Sequence, residues 1–172
     1  MGAVMALQLL DDKDQHTLTA LRVTPVPPAS YPAYRAAVTA ALTTITVIAS
    51  LALSAQVPPR TLALSVAVAV VAGLLAPVLG LVMASAGRNK IEGLAVMRVI
   101  GLAVFILPMI PFFIPGSPWQ LAFGILPPYW PVRAFWSAMD GDVFWPYIAG
   151  GVAYNAVLAL SLIRVLVRRM SR

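Results

Sequence analysis

Side chains that perform acid–base or metal chemistry are nearly absent from this chain. His16 is the single histidine, and there is no cysteine. The six carboxylates are Asp11, Asp12, Asp14, Glu92, Asp140 and Asp142, all outside the long apolar stretches. Zinc binding and general acid–base catalysis require such groups to converge, so His16 reads as an ordinary solvated residue. Nucleotide hydrolysis through a phosphate loop needs G-x-x-x-x-G-K-[ST], which does not occur. Gly87-Arg88-Asn89-Lys90 is basic but lacks the glycines that would cradle a phosphate. With no catalytic constellation and no phosphate loop, the chain does not read as an enzyme. Intramembrane proteases and proton-coupled carriers usually place ionisable residues inside their spans. Here Asp, Glu, Lys and His avoid the interior of the spans.

Polar and small residues inside the apolar stretches carry more information. Thr39, Thr43, Thr46, Ser50 and Ser54 follow one another at four, three, four and four residues. Helical periodicity puts these hydroxyls on one face. That face could form a packed seam with another helix or line a pathway, or the hydroxyls could bond to carbonyls of their own helix. Ala69 and Gly73, then Ala76, Gly80 and Ala84, repeat small residues every four positions. This spacing lets helix backbones approach closely in lipid, with Pro77 expected to kink the same helix. Asn155 is a midspan amide beside Gly150-Gly151. It is expected to bond across to another helix, with substrate contact as the alternative.

The elements that must position these residues are membrane spans. Of 172 residues, 60% are hydrophobic and 10% charged, against about 25% charged in a soluble domain. Stretches 36–59, 61–87, 99–132 and 143–163 contain no Asp, Glu, Lys or Arg. Each reaches the roughly 20 residues that cross a bilayer as a helix. The fold class is therefore an all-α integral membrane protein with four spans, near 36–54, 62–86, 99–114 and 143–167. Residues 1–35 form a cytoplasmic region whose first ten residues read as the tail of a preceding helix, and 36–172 form the transmembrane domain. Seven prolines (Pro108, Pro111, Pro115, Pro118, Pro127, Pro128 and Pro131) should end the third helix near Pro115. The chain beyond them should form a short interfacial or re-entrant segment.

The net charge of +6 does not indicate a nucleic-acid partner, because the basic residues sit at span ends and not on one face among aromatics. Ten of the twelve fall on one side: Lys13, Arg22, Arg35, Arg88, Lys90, Arg98, Arg164, Arg168, Arg169 and Arg172. Only Arg60 and Arg133 fall on the other. The positive-inside rule makes the first side, including the C-terminus, cytoplasmic. Trp119, Trp130, Trp136 and Trp145 all lie in or beside the outer 115–146 region, as an interfacial aromatic belt would.

Three segments taken in order resemble a known family. The first runs from Asp11 to Pro25 and contains Thr17-Leu18-Thr19-Ala20-Leu21-Arg22 and Thr24-Pro25. The second is Asn89-Lys90-Ile91-Glu92-Gly93. The third is Pro127-Pro128-Tyr129-Trp130-Pro131. They resemble the ABC-2 type permeases, the membrane subunits of bacterial ATP-driven exporters, and in particular the multidrug and fluoroquinolone-export permeases. The resemblance covers nearly the whole chain. The family usually has six spans, and this chain starts at what would be the end of the second. His16 stands where a glycine is common, and Pro32 interrupts the helix that usually enters the first span.

The resemblance implies a multi-pass subunit of the bacterial plasma membrane that exports drugs or other hydrophobic compounds. It implies a separate ATPase subunit that binds ATP and Mg, a second permease subunit, and no cofactor on this chain. It places coupling to the ATPase on Asp14, Thr17, Leu18, Leu21 and Arg22, then on Lys90 and Glu92. A non-transporting membrane assembly subunit, or a non-functional permease fragment, is the alternative.

Overall fold

The computed structural model describes residues 1–14, 27, 29–54, 62–87, 89–114 and 117–170. Six α-helices occur among them: α1 Gly2–Asp14, α2 Ser30–Leu53, α3 Leu62–Ala86, α4 Lys90–Ile106, α5 Tyr129–Asp140 and α6 Trp145–Met170. Two 3-10 segments, Leu107–Phe113 and Pro118–Ile125, lie between α4 and α5. Among the described residues no strand forms, and four helices are long and apolar enough to cross a membrane. The all-α membrane fold with four spans read from the charge-free stretches is what the chain adopts.

Several boundaries differ from the sequence reading for local reasons. The second span starts at Leu62 and ends at Ala86 as expected. The first begins earlier, at Ser30, because Pro32 falls in the first helical turn, where its missing N–H costs nothing. Pro32 is buried there and starts the helix instead of interrupting it. Residues 90–98, read as loop, are the first turns of α4. Asn89 caps that helix, its side-chain oxygen accepting from the Glu92 N–H at 2.9 Å. At the other end α4 leaves α-geometry at Ile106, before Pro115, and tightens into the 3-10 segment that carries Pro108 and Pro111. The α3 helix runs through Pro77 without a break in assignment.

The α3 helix is the centre of the bundle. Half of its most apolar window is buried, against 11% for α2, 12% for α4 and 22% for α6. Two cores form at its opposite ends. Met5, Leu9, Ala36, Leu81, Ala84, Ile163 and Leu166 bring α1, α2, α3 and α6 together at one end. Val68, Val71, Ala134 and Ile148 join α3, α5 and α6 at the other.

The small-residue stripe of α3 lies between these cores and serves two neighbours. A methyl group on Gly73 would overlap the Thr44 hydroxyl and lie 2.9 Å from the Ala40 carbonyl oxygen of α2. One on Gly80 would lie 2.6 Å from the Gly2 carbonyl oxygen of α1. Close backbone approach supplies the dispersion contacts that hold helices together when lipid removes the hydrophobic drive.

Candidate functional site

The end of the bundle that carries α1 and the α3–α4 turn brings α1 against the start of α4. Leu10 of α1 packs onto Gly93 of α4, where any side chain at 93 would collide with the leucine tip. Gly93 in turn crowds Gly87, whose own methyl would meet the Gly93 backbone at 3.0 Å. Thus α1, which leads into the Thr17–Arg22 segment, abuts the first turn of the helix that begins Lys90-Ile91-Glu92. Thr17, Leu18, Leu21 and Arg22 lie outside the described residues. Asp14 ends α1 and Lys90 starts α4. Glu92 is exposed, at the third helical position of α4. Asn89 with Glu92 three residues on has the form of an N-terminal capping box. Part of the motif is therefore explained by helix initiation, since a carboxylate in the first turn also suits the helix dipole.

A polar network missing from the sequence reading ties the same end together. Arg35 and Asp12 form an ion pair at 3.5 Å. Tyr31 donates its hydroxyl to the Asp12 carboxylate, and Arg35 donates to the Tyr31 oxygen through Nε at 3.0 Å and Nη2 at 2.7 Å. Arg35 also donates to the Gln8 amide oxygen. Its guanidinium lies 5.2 Å from the Tyr31 ring centroid. The available signal was Tyr31 and Arg35 at i and i+4 on α2, the spacing that places side chains together on a helix face.

The hydroxyl stripe of α2 does not act as a seam along its length. Thr43 donates to the Thr39 carbonyl at 2.7 Å, Thr46 to Leu42 at 2.8 Å and Ser50 to Thr46 at 2.8 Å. Thr39 is buried, whereas Thr46 and Ser50 are exposed. Each of these three donors is satisfied within its own helix, so the hydroxyl face is not required for contact with α3. The close approach to Gly73 runs instead through Ala40 and Thr44.

Asn155 is fully buried, and its amide nitrogen donates to the Gly151 carbonyl of its own helix at 2.8 Å. Its Oδ1 is sealed from solvent with no partner among the described residues. The expected bond to another helix is therefore replaced by an intrahelical one. The neighbouring Gly150-Gly151 pair has a different purpose: the Trp130 ring takes the space of a methyl at Gly150, and Val71 of α3 with the Trp130 Cβ takes it at Gly151. Trp130 donates its indole N–H to the Gly124 carbonyl at 3.0 Å. Tyr154 donates to the Ile125 carbonyl, locking the 3-10 segment onto α6. Trp130 is thus a packing knob, while Trp119 and Trp145 are 75% and 60% exposed, as belt residues would be.

An open apolar cleft of about 540 Å³ lies at the α5 end. Val47 and Leu51 of α2, Val68, Ala72 and Leu75 of α3, and Pro108, Pro131 and Phe135 form most of its wall. Among the described residues no ionisable side chain lines it. Its size is that of a pocket for a drug-sized molecule. Among the described residues no group of three or more His, Cys, Asp or Glu is placed to hold a metal.

A bundle of four membrane-length helices with an apolar cleft at one end and charged helix termini at the other is the architecture of a multi-pass membrane protein. Comparison with known proteins defines the family. Residues 1–163 match the family model described as fluoroquinolones export permease protein Rv2686c-like, and the chain belongs to that family. Two relatives from Mycobacterium tuberculosis, fluoroquinolones export permease protein Rv2686c of strain H37Rv and MT2760 of strain CDC 1551, are each 45% identical over 168 residues. The aligned region covers 98% of this chain and spans 65% of the length of those relatives. No solved structure matches the chain.

Proposed function

We propose that this chain is the membrane-spanning part of an ATP-driven exporter of apolar or amphiphilic drug-like compounds. The observation that supports the reading is the contact of Leu10 in α1 with Gly93 in α4, which joins the helix that precedes the first proposed coupling segment to the helix that begins with the second. A chain without a phosphate loop needs its energy from a partner. The partner is a separate ATPase subunit, which binds ATP and Mg. Its ATP-driven movement is delivered to α1 and α4 together, because Leu10 packs directly on Gly93. The α3 helix links that end to the cleft, so displacement of α1 against Gly80 shifts the helix that forms the cleft wall. A second permease subunit completes the pathway. This end faces the cytoplasm under the positive-inside rule. Single cysteines at Glu92 and Asp140 should accordingly be protected and labelled, respectively, by an impermeant thiol reagent in intact cells.

The experiment targets the apolar pair in the first coupling segment. Leu18 and Leu21 are spaced to share one helical face and to fill a hydrophobic groove on a partner. Replacing both with Asp should abolish co-purification of the ATPase and ATP-dependent drug efflux while leaving membrane insertion intact. Normal co-purification by that double variant would refute the docking reading.

A further inference from the structure

The short helix α5 carries two buried polar groups that the packing of the bundle does not use. Tyr129 is 4% exposed, and its hydroxyl is sealed from solvent without a hydrogen-bond partner among the described residues. Burial raises the pKa of this phenol above its ordinary value, with Tyr147 adding to the shift and Arg133 opposing it. It is therefore a protonated donor at neutral pH. Arg133 lies one turn further on, at the i+4 spacing that puts two side chains on one helix face. Its Nε is also buried and unpartnered among the described residues.

The guanidinium is positioned without being neutralised. It lies 5.6 Å from the Tyr147 ring centroid, a cation–π distance. Asp140 and Asp142 follow closely in sequence, yet both are exposed and neither pairs with it. Arg133 is also the only basic residue between Arg98 and Arg164. A buried donor with no acceptor keeps its full desolvation cost, which is greater when it is charged. Both atoms lie beneath the surface, so an acceptor from outside the chain reaches them when the half-buried Arg133 side chain swings outward, and the acceptor that satisfies a guanidinium N–H and a phenol O–H together is an oxyanion. The surroundings identify its source. Trp119, Ile125, Val143 and Trp145 are between 60% and 75% exposed around this end of the molecule. Such a collar places α5 at the lipid–water boundary, where the abundant oxyanion is the lipid phosphate.

We propose that Tyr129 and Arg133 form a binding site for the phosphodiester group of a phospholipid in the leaflet that α5 faces. The site is separate from the apolar cleft: Pro131, Val132 and Phe135 line the cleft, whereas Tyr129 and Arg133 fall on another face of the same short helix. The bound lipid would hold α5 at a fixed depth beside the cleft mouth.

The test is native mass spectrometry of the purified full chain, released from nanodiscs containing dioleoyl phosphatidylglycerol, dioleoyl phosphatidylcholine or dioleoylglycerol. Both phosphodiester lipids should be retained by the wild type and dioleoylglycerol should not. Arg133→Gln should lower retention by about ten-fold or more, as loss of a charge-assisted hydrogen bond implies, and Tyr129→Phe by a smaller factor. Arg133→Lys, which keeps charge without the Nε donor, should fall between wild type and Arg133→Gln. Phe135→Ala, on the cleft face of α5, should retain lipid normally and so controls for general loosening of the helix.

Wild-type retention by Arg133→Gln, or equal retention of dioleoylglycerol by the wild type, would overturn the site. Displacement of the lipid by inorganic phosphate alone would assign the pair to a free oxyanion and overturn the lipid source. Should Arg133→Gln fail to insert, the wild-type comparison of phosphatidylglycerol with dioleoylglycerol still decides.

Discussion

Gly73→Ala and Gly101→Ala make a matched pair that isolates what the α3 stripe contributes. Both residues sit inside spanning helices, and both substitutions gain intrinsic helix propensity, up to about 1 kcal/mol. Their surroundings differ completely. A methyl at 101 meets no atom within 4 Å. A methyl at 73 overlaps the Thr44 hydroxyl and lies 2.9 Å from the Ala40 carbonyl oxygen, where ordinary contact begins at 3.4 Å. Thr44 is β-branched and has few rotamers to retreat into, and the carbonyl belongs to the α2 backbone. The α2 and α3 helices must therefore separate by about half an ångström along their contact, and overpacking of this kind costs about 1–3 kcal/mol. Because the propensity gain is common to both variants, Gly73→Ala should be less stable than Gly101→Ala by that same amount. Reversible unfolding in mixed micelles, followed by far-ultraviolet circular dichroism, measures the difference. Equal stability within about 0.5 kcal/mol would show that the α2–α3 contact yields easily and that the stripe does not set the helix spacing.

Other outcomes follow from the same contacts. A double-mutant cycle between Asp12→Ala and Arg35→Ala should give a coupling of about 1 kcal/mol or less that shrinks with added salt, since both side chains are partly exposed; a salt-independent coupling above 2 kcal/mol would contradict a screened pair. Asn155→Leu removes an unpartnered buried oxygen at similar volume and should be neutral or stabilising in the same unfolding assay, because deleting an unsatisfied polar group relieves its desolvation cost. A large loss of stability would mean that Asn155 has a partner beyond the described residues. Ala72→Trp, which projects a ring into the cleft, should lower drug efflux while leaving ATPase binding unchanged; unchanged efflux would remove the cleft from the pathway.

Patterns that depend only on solvent were legible in the sequence. The charge-free stretches gave four spans, because an uncompensated charge in hydrocarbon is costly whatever the tertiary arrangement. The close approaches of Gly73 and Gly80 were likewise readable, because only glycine admits a neighbouring backbone at that distance. The partner of each glycine was not readable. One stripe faces two helices, α2 through Gly73 and α1 through Gly80, and a periodicity does not state which neighbour it meets. The start of α4 was misread although Asn89 and Glu92 carried a capping signature; the charged residues around them pointed equally to a loop. Helix boundaries follow local hydrogen bonding, and charge patterning does not report it.

Side-chain polarity proved ambiguous in a consistent direction. Inside an apolar helix, a Ser, Thr or Asn can bond to its own backbone four residues back or reach to a neighbour, and the spacing is the same for both. Thr43, Thr46, Ser50 and Asn155 all use the local acceptor. That choice has a physical reason: a carbonyl one turn back is always available, whereas a partner on another helix requires an arrangement that small-residue packing has already fixed. Asp12, Tyr31, Arg35 and Gln8 show the opposite outcome. They join α1 to the first two turns of α2, and they bond between the two helices. The side-chain bonds between α1 and α2 therefore lie at the charged end, while Tyr154 bonds to the Ile125 carbonyl at the other. Hydroxyls along the spans retain their local bonds, which leaves the helices free to slide against one another without breaking interhelical hydrogen bonds. That division assigns polar cohesion between α1 and α2 to the charged end and close apolar packing to the interior.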